Sequence, residues 1–196
     1  MNIGVVTTSI HAGTHADAPV HVESSWGDSA TLSPSAFVGE ACVIALPSEM
    51  EVGAEISTHT LRAMISAATG IDISRAESVE GTETNATAVP VRLLCRTGCS
   101  VAAGEFPEAW PALSESATSW LVSQGVVLWG TDAPSVDART SQALPVHHTL
   151  FAGGAYVLEN LSLSHVAPGL YELLAQPMSI AGADAAPVRA MLRALE

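Results

Sequence analysis

Four side chains able to bind a transition metal lie within eleven residues: His11, His15, Asp17 and His21. Imidazole nitrogen and carboxylate oxygen are donors that zinc, manganese and iron accept, and a set without thiolate is more often catalytic than structural because it leaves positions open for water. Gly13, Thr14 and Pro19 interrupt the run. His11 and His15 are four apart and could share a helix face, whereas glycine and proline favour a turn wrapped around an ion. The competing reading is a solvated loop. Three histidines and an aspartate in so short a run favour the metal site over it.

A second group lies far along the chain. Glu159 stands among apolar neighbours in Tyr156-Val157-Leu158-Glu159-Asn160-Leu161, where an ionised carboxylate is costly unless it is paired, protonated or bound to a cation. A salt bridge is the usual explanation, yet the chain has only seven Lys and Arg to supply partners. In Leu144-Pro145-Val146-His147-His148 the expectation is one functional and one structural histidine.

These residues need elements to hold them. Val5 to Ile10 is β-branched and reads as a strand running into the first cluster, and Ala41 to Leu46 and Val89 to Cys95 read as further strands. Thr58 to Ala68 and Ser114 to Gln124 read as helices with hydroxyl residues near their starts, the second stopped by Gly125. Val126 to Gly130, Ala155 to Leu161 and Tyr171 to Met178, the last interrupted by Pro177, read as strands. A final helix is expected over Pro187 to Leu195, with proline in its first turn. The pattern predicts an α/β fold, a single domain over residues 1–196 with a mixed central β-sheet flanked by helices. No repeat is visible. The polar stretch from Asp72 to Thr87 reads as a surface excursion, and its Asn85-Ala86-Thr87 sequon as chance.

Composition narrows the function classes. A formal charge of −13 repels phosphate backbones and anionic lipid, so nucleic acid and membrane surfaces are poor partners. No run approaches the roughly 20 apolar residues of a membrane span, and no basic region precedes an apolar stretch at the start, so a cytoplasmic protein is expected. Cys42, Cys95 and Cys99 do not form a disulfide framework and read as buried or half-buried thiols. Nothing matches the Gly-x-Ser-x-Gly elbow of serine hydrolases.

Taken together, the motifs resemble the metal-dependent cyclase superfamily, whose mark H-x-G-T-H-x-D-x-P-x-H is matched at every fixed position from His11 to His21. Within it, Gly130-Thr131-Asp132-Ala133-Pro134-Ser135-Val136-Asp137, then Leu144 to His148, Leu158 to Leu161, Val166 to Leu173 and Ser179 to Leu195 are most similar to the bacterial kynurenine formamidases (arylformamidases). The resemblance covers nearly the whole chain and is weakest between Glu49 and Val89. It implies a homodimer that binds two divalent ions, usually zinc and with manganese as the alternative. It also implies hydrolysis of N-formyl-L-kynurenine to L-kynurenine and formate in tryptophan breakdown. By motif position, His11, His15 and Asp17 would hold the first ion, His147 the second, and Asp17 and Glu159 would bridge both. His21 falls on the proton-transfer position, a task that suits an imidazole acting on a metal-activated water.

The resemblance also implies a longer segment ahead of the motif, with an aromatic residue lining the substrate pocket, whereas ten residues precede His11. Trp26, Trp110, Trp120 and Trp129 are expected in the core or at the surface rather than as substitutes for it. Two other readings follow: a related amide hydrolase acting on a substrate such as isatin, and a non-catalytic metal-binding form that depends on a partner.

Overall fold

A computed structural model of the chain describes residues 2–73 and 89–195. In chain order the elements are β1 (His15–Asp17), β2 (Val38–Ala45), β3 (Glu55–Ile56), α1 (Thr58–Thr69), β4 (Arg92–Arg96), β5 (Ala112–Leu113) and α2 (Glu115–Ser123). There follow β6 (Leu128–Thr131), α3 (Pro145–Ala152), β7 (Tyr156–Glu159), β8 (Gly169–Leu174), β9 (Ala185–Pro187) and β10 (Met191–Ala194). Eight strands form one mixed sheet in the order β10-β8-β2-β4-β6-β7-β1-β9, and β3 pairs with β5 apart from it. The middle strands β2, β4, β6 and β7 run parallel, and the outer strands join antiparallel.

Alternation along the parallel strands divides the core in two. Cys42, Ile44, Leu93, Cys95, Trp129 and Val157 face the three helices and pack against Leu61 and Ile65 of α1, Leu121 of α2 and Leu150 of α3. Their neighbours Ala41, Val43, Leu94, Leu128 and Leu158 face the other way, onto Phe37, Leu161 and Leu173. Ser57 caps α1 by accepting from Thr60 N, Gly70 ends it with φ 73°, and Ser114 caps α2 by accepting from Ala117 N. Burial pushes the Cys42 thiol up to about 11 and holds Cys95 well above the ordinary thiol range. Both are core hydrophobes, and Cys99 is half-buried.

The expected mixed sheet flanked by helices is present, and three expectations fail. Residues 2–9 form no strand, and Val5 and Val6 are 87% and 89% exposed. Their β-branched side chains favour a strand only where another strand pairs with them, and none of the described strands does. Pro187 to Leu195 is not a helix: Ala185–Pro187 pairs with β1, and Met191–Ala194 pairs with β8 with Met191 opposite Leu174. Good helix formers in the last segment yield to an open sheet edge. Conversely, α3 gave no helical signal because it is eight residues long and its own N-cap, Leu144, sits at φ 46° with no capping side chain. The Tyr171 to Met178 strand is confined to Gly169–Leu174, and Pro177 instead bridges to Val188. Most of the polar excursion, with the Asn85 sequon, lies outside the described residues.

Candidate metal centre

The short strand β1 carries the first cluster into the sheet. His15 lies directly opposite Glu159 of β7, so the two side chains share a face, and Asp17, two residues on, shares it too. That face is the helix side, while Ala16 and Leu158 point into the opposite core. Thr14 Oγ1 ties the approach to β1 by donating to Asn160 O at 2.7 Å. His11 precedes the strand in a turn, and His21 closes a single 3-10 turn that begins at Pro19. The sequence alternatives of a shared helix face and a wrapping turn thus resolve into turn, strand and turn.

His147 arrives from α3. Asp137, in the β6–α3 loop, accepts from Val146 N and His147 N at 3.0 and 3.1 Å, supplying the N-terminal cap that Leu144 lacks. The same carboxylate lies 2.6 Å from His147 Nδ1. Glu159 Oε1 accepts from Val136 N at 2.8 Å, which binds that loop to the end of β7.

His11, His15, Asp17, His147 and Glu159 converge. Asp17 Oδ1 lies 3.1 Å from His11 Nδ1 and 3.2 Å from His15 Nε2, and its Oδ2 lies 3.1 Å from His147 Nε2. Glu159 lies 3.5 Å from His15 Nε2 and 3.3 Å from His147 Nε2. His21 joins through its ring, 4.7 Å between centroids from His11 and 5.7 Å from His147. Donor atoms of His11, Asp17 and His21 fall within 4.8 Å of one another, as do those of His15, Asp17 and Glu159. This grouping differs from the division between two ions that the resemblance implies, since it brings His21 beside His11 and Asp17.

The outer nitrogens are each engaged. His15 Nδ1 lies 2.9 Å from Gly13 O, His147 Nδ1 faces Asp137, and His11 Nε2 lies 3.2 Å from Asp184 Oδ2. Such contacts select the tautomer that turns the inner nitrogen's lone pair toward the centre, as in metal-binding histidines. At that centre His15 Nε2 and Asp17 Oδ1 are buried without a hydrogen-bond partner despite their proximity. Unsatisfied atoms of this kind are costly unless a further group meets them, and a nitrogen and oxygen donor set without thiolate fits a divalent cation.

The electrostatics agree. Burial opposes charging of His15, but Asp17 and Glu159 outweigh it and push the imidazole up to about 10. Burial is likewise overcome at His147, where Asp137, Asp17 and Glu159 hold the pKa well above the usual histidine range. Burial disfavours the Asp17 carboxylate, yet His11, His147 and His15 hold it well below the ordinary range. Without an ion, the cluster retains protons to balance its carboxylates.

Four residues here escaped sequence reading. Asp184 contacts histidines 173 and 163 residues away, Asp137 reaches His147 across the ten residues that lead into α3, and Arg139 gives no local signal. Trp110, expected in the core or at the surface, is buried and lines a cavity of about 420 Å³ together with His11, His21 and Glu159. Trp120 and Trp129 are core residues, and Trp26 packs edge-on to His148.

Comparison with known proteins fits this geometry. The Cyclase family model matches residues 4–138. This chain belongs to the cyclase family. Among curated relatives, it is 37% identical over 194 residues to the kynurenine formamidase of Bacillus cereus strain ATCC 14579, covering 98% of this chain and 80% of that protein. It is 36% identical to the kynurenine formamidase of Geobacillus thermodenitrificans, with the same coverage. Among solved structures, a potential metal-dependent hydrolase with cyclase activity superposes with TM-score 0.70 at 26% identity, covering 95% of this chain and 80% of that one. An isatin hydrolase bound to the product analogue thioisatinate superposes with TM-score 0.71 at 22% identity, covering 94% and 72%, a likeness of fold.

Proposed function

We propose that this cyclase-family chain is a hydrolase, specifically an arylformamidase that converts N-formyl-L-kynurenine to L-kynurenine and formate in tryptophan breakdown. The site would hold two divalent ions, zinc or alternatively manganese: His11, His15 and Asp17 would serve one and His147 the other, with Asp17 and Glu159 shared between them. The observation that carries this reading is the pair of buried, unpartnered atoms His15 Nε2 and Asp17 Oδ1 inside a ring of imidazoles whose outer nitrogens are engaged. The kynurenine formamidase relatives support the substrate.

A divalent ion supplies two things in such a site: polarisation of a carbonyl oxygen and a water whose pKa falls toward neutrality. The chain's residues supply the rest. Hydrolysis puts the hydroxyl of water on the formyl carbon, breaks the carbon–nitrogen bond and leaves a proton for the departing aniline nitrogen. His21 lines the cavity, and Asp184 Oδ2 engages its Nδ1 at 3.1 Å. Its Nε2 has no protein partner among the described residues and can take a proton from water and pass it to the nitrogen. Phe106 and Trp110 form an apolar wall for the aryl ring. The cavity falls in the range of about 300 to 1,000 Å³ common for small-molecule sites.

Among the described residues no helix is long and apolar enough to cross a membrane. The homodimer and cytoplasmic location belong to the same proposal, and light scattering on the purified chain checks the first.

The deciding experiment measures formate release from N-formyl-L-kynurenine by the metal-analysed chain, with chelator, zinc or manganese, beside an isatin control. Metal-dependent formate release is expected. Turnover of isatin alone would move the chain to the isatin-hydrolysing branch, and bound metal without either turnover would leave a non-catalytic metal-binding protein.

A further inference from the structure

We propose that Arg139 determines substrate specificity by taking the carboxylate of an aromatic substrate with an amino-acid tail; the identity of the bond broken rests on the arylformamidase reading. Arg139 lines the same cavity as His11, His21 and Glu159 and is the one arginine among its lining residues. Its guanidinium lies 5.6 Å from the centre of the Phe106 ring, and Phe106 meets Trp110 edge to face with centroids 5.8 Å apart. A cation therefore stands at the edge of an aromatic wall. A flat ring packed on that wall brings its substituent to the charge.

The guanidinium is anchored on one side only. Nη1 donates to Pro107 O at 3.1 Å and to Glu108 Oε2 at 2.9 Å, while Nε and Nη2 have no hydrogen-bond partner among the described residues. Those two atoms form the fork that a carboxylate fills with two parallel hydrogen bonds. Glu108 is a weak competitor, because its side chain is 95% exposed and such a pair is screened by solvent.

Charge favours an arginine at this place. The chain carries a formal −13, and Asp17, Asp137, Glu159 and Asp184 surround the histidines, so the local field opposes the carboxylate of a zwitterionic amino-acid tail. Arg139 offsets that field at the cavity wall, and N-formyl-L-kynurenine, an aryl formamide with an amino-acid tail, has the carboxylate to meet it.

The test is calorimetric binding of L-kynurenine and of 2-aminoacetophenone, which has the ring and ketone without the amino-acid tail, to the zinc-treated full chain. The unmodified chain is expected to prefer L-kynurenine by about tenfold, the worth of one charge-assisted pair, and the preference should shrink with added salt. Arg139→Gln should abolish the preference and leave 2-aminoacetophenone binding unchanged, and Arg139→Lys, which keeps the charge without the fork, should retain part of it. A preference that survives in Arg139→Gln, or an unmodified chain that binds the two ligands equally or binds neither, overturns the proposal. Turnover is scored separately: a chain that keeps the carboxylate preference yet releases no formate from N-formyl-L-kynurenine refutes the formamidase reading and leaves this one standing.

Discussion

Asp184 Oδ2 stands between two imidazoles, 3.1 Å from His21 Nδ1 and 3.2 Å from His11 Nε2. Burial disfavours its charged form, but the two histidines hold the carboxyl below its usual range. One carboxylate thus couples a proposed ligand to the proposed proton carrier. Asp184→Asn keeps the shape and weakens the orienting contact, and kcat should fall about 10- to 100-fold with little change in KM. His21→Ala should lose most turnover and keep its metal. Metal analysis of that variant decides between proton carrier and ligand, since loss of an ion would make His21 a ligand with His11 and Asp17.

Among the described residues Glu159 pairs with no arginine; its partners are His15, His147 and the amide of Val136. Glu159→Gln removes a negative charge from the centre while keeping its volume. Metal content after dialysis should drop by at least one ion per chain, with activity falling in step. Retention of full metal and full activity would rule out a bridging role.

Asp137 does two jobs through one carboxylate, capping α3 and orienting His147. Asp137→Ala should therefore cost about 0.5 to 2 kcal/mol from the cap, together with a roughly 10- to 100-fold loss of metal affinity. Thermal melts with and without chelator separate the effects. A variant destabilised by the same amount in both conditions, with unaltered metal affinity, would reduce Asp137 to a cap.

The protonation of the cluster gives a pH signature. The pKa of His15, 6.5 when unperturbed, is raised to about 10 in the folded metal-free chain, so its contribution to stability is complete below pH 6.5 and is lost as pH rises toward 10. Asp17 is depressed from 3.8, so its contribution is present above that value and lost on acidification below it. The chelated chain should accordingly lose thermal stability from these groups between pH 6.5 and 10. Metal must displace the same protons, so metal loading at pH 7 should release protons and strengthen as pH rises. A dye-monitored titration in weak buffer reads the release. A chelated chain that gains stability from pH 7 to 10 would contradict this account of the cluster.

Sequence by itself picked out the candidates at the heart of the proposed site, because His11, His15, Asp17 and His21 lie within eleven residues and their donor types and spacing are read without a fold. It also brought out Glu159, whose charge is out of place in an apolar strand, and helices α1 and α2 and the central strands, whose periodicity and caps are local. Tertiary structure decided what depends on partners far along the chain. Asp184 is 163 residues from His21, and nothing near either one marks the contact. The cap of α3 comes from Asp137, outside the helix, so its own eight residues do not announce it. Met191–Ala194 forms a strand because β8 offers an edge, and residues 2–9 form none because no described strand pairs with them. Arg139 and Trp110 became candidates for the same reason: a cavity wall is made by packing segments together, and spacing within one segment does not record it.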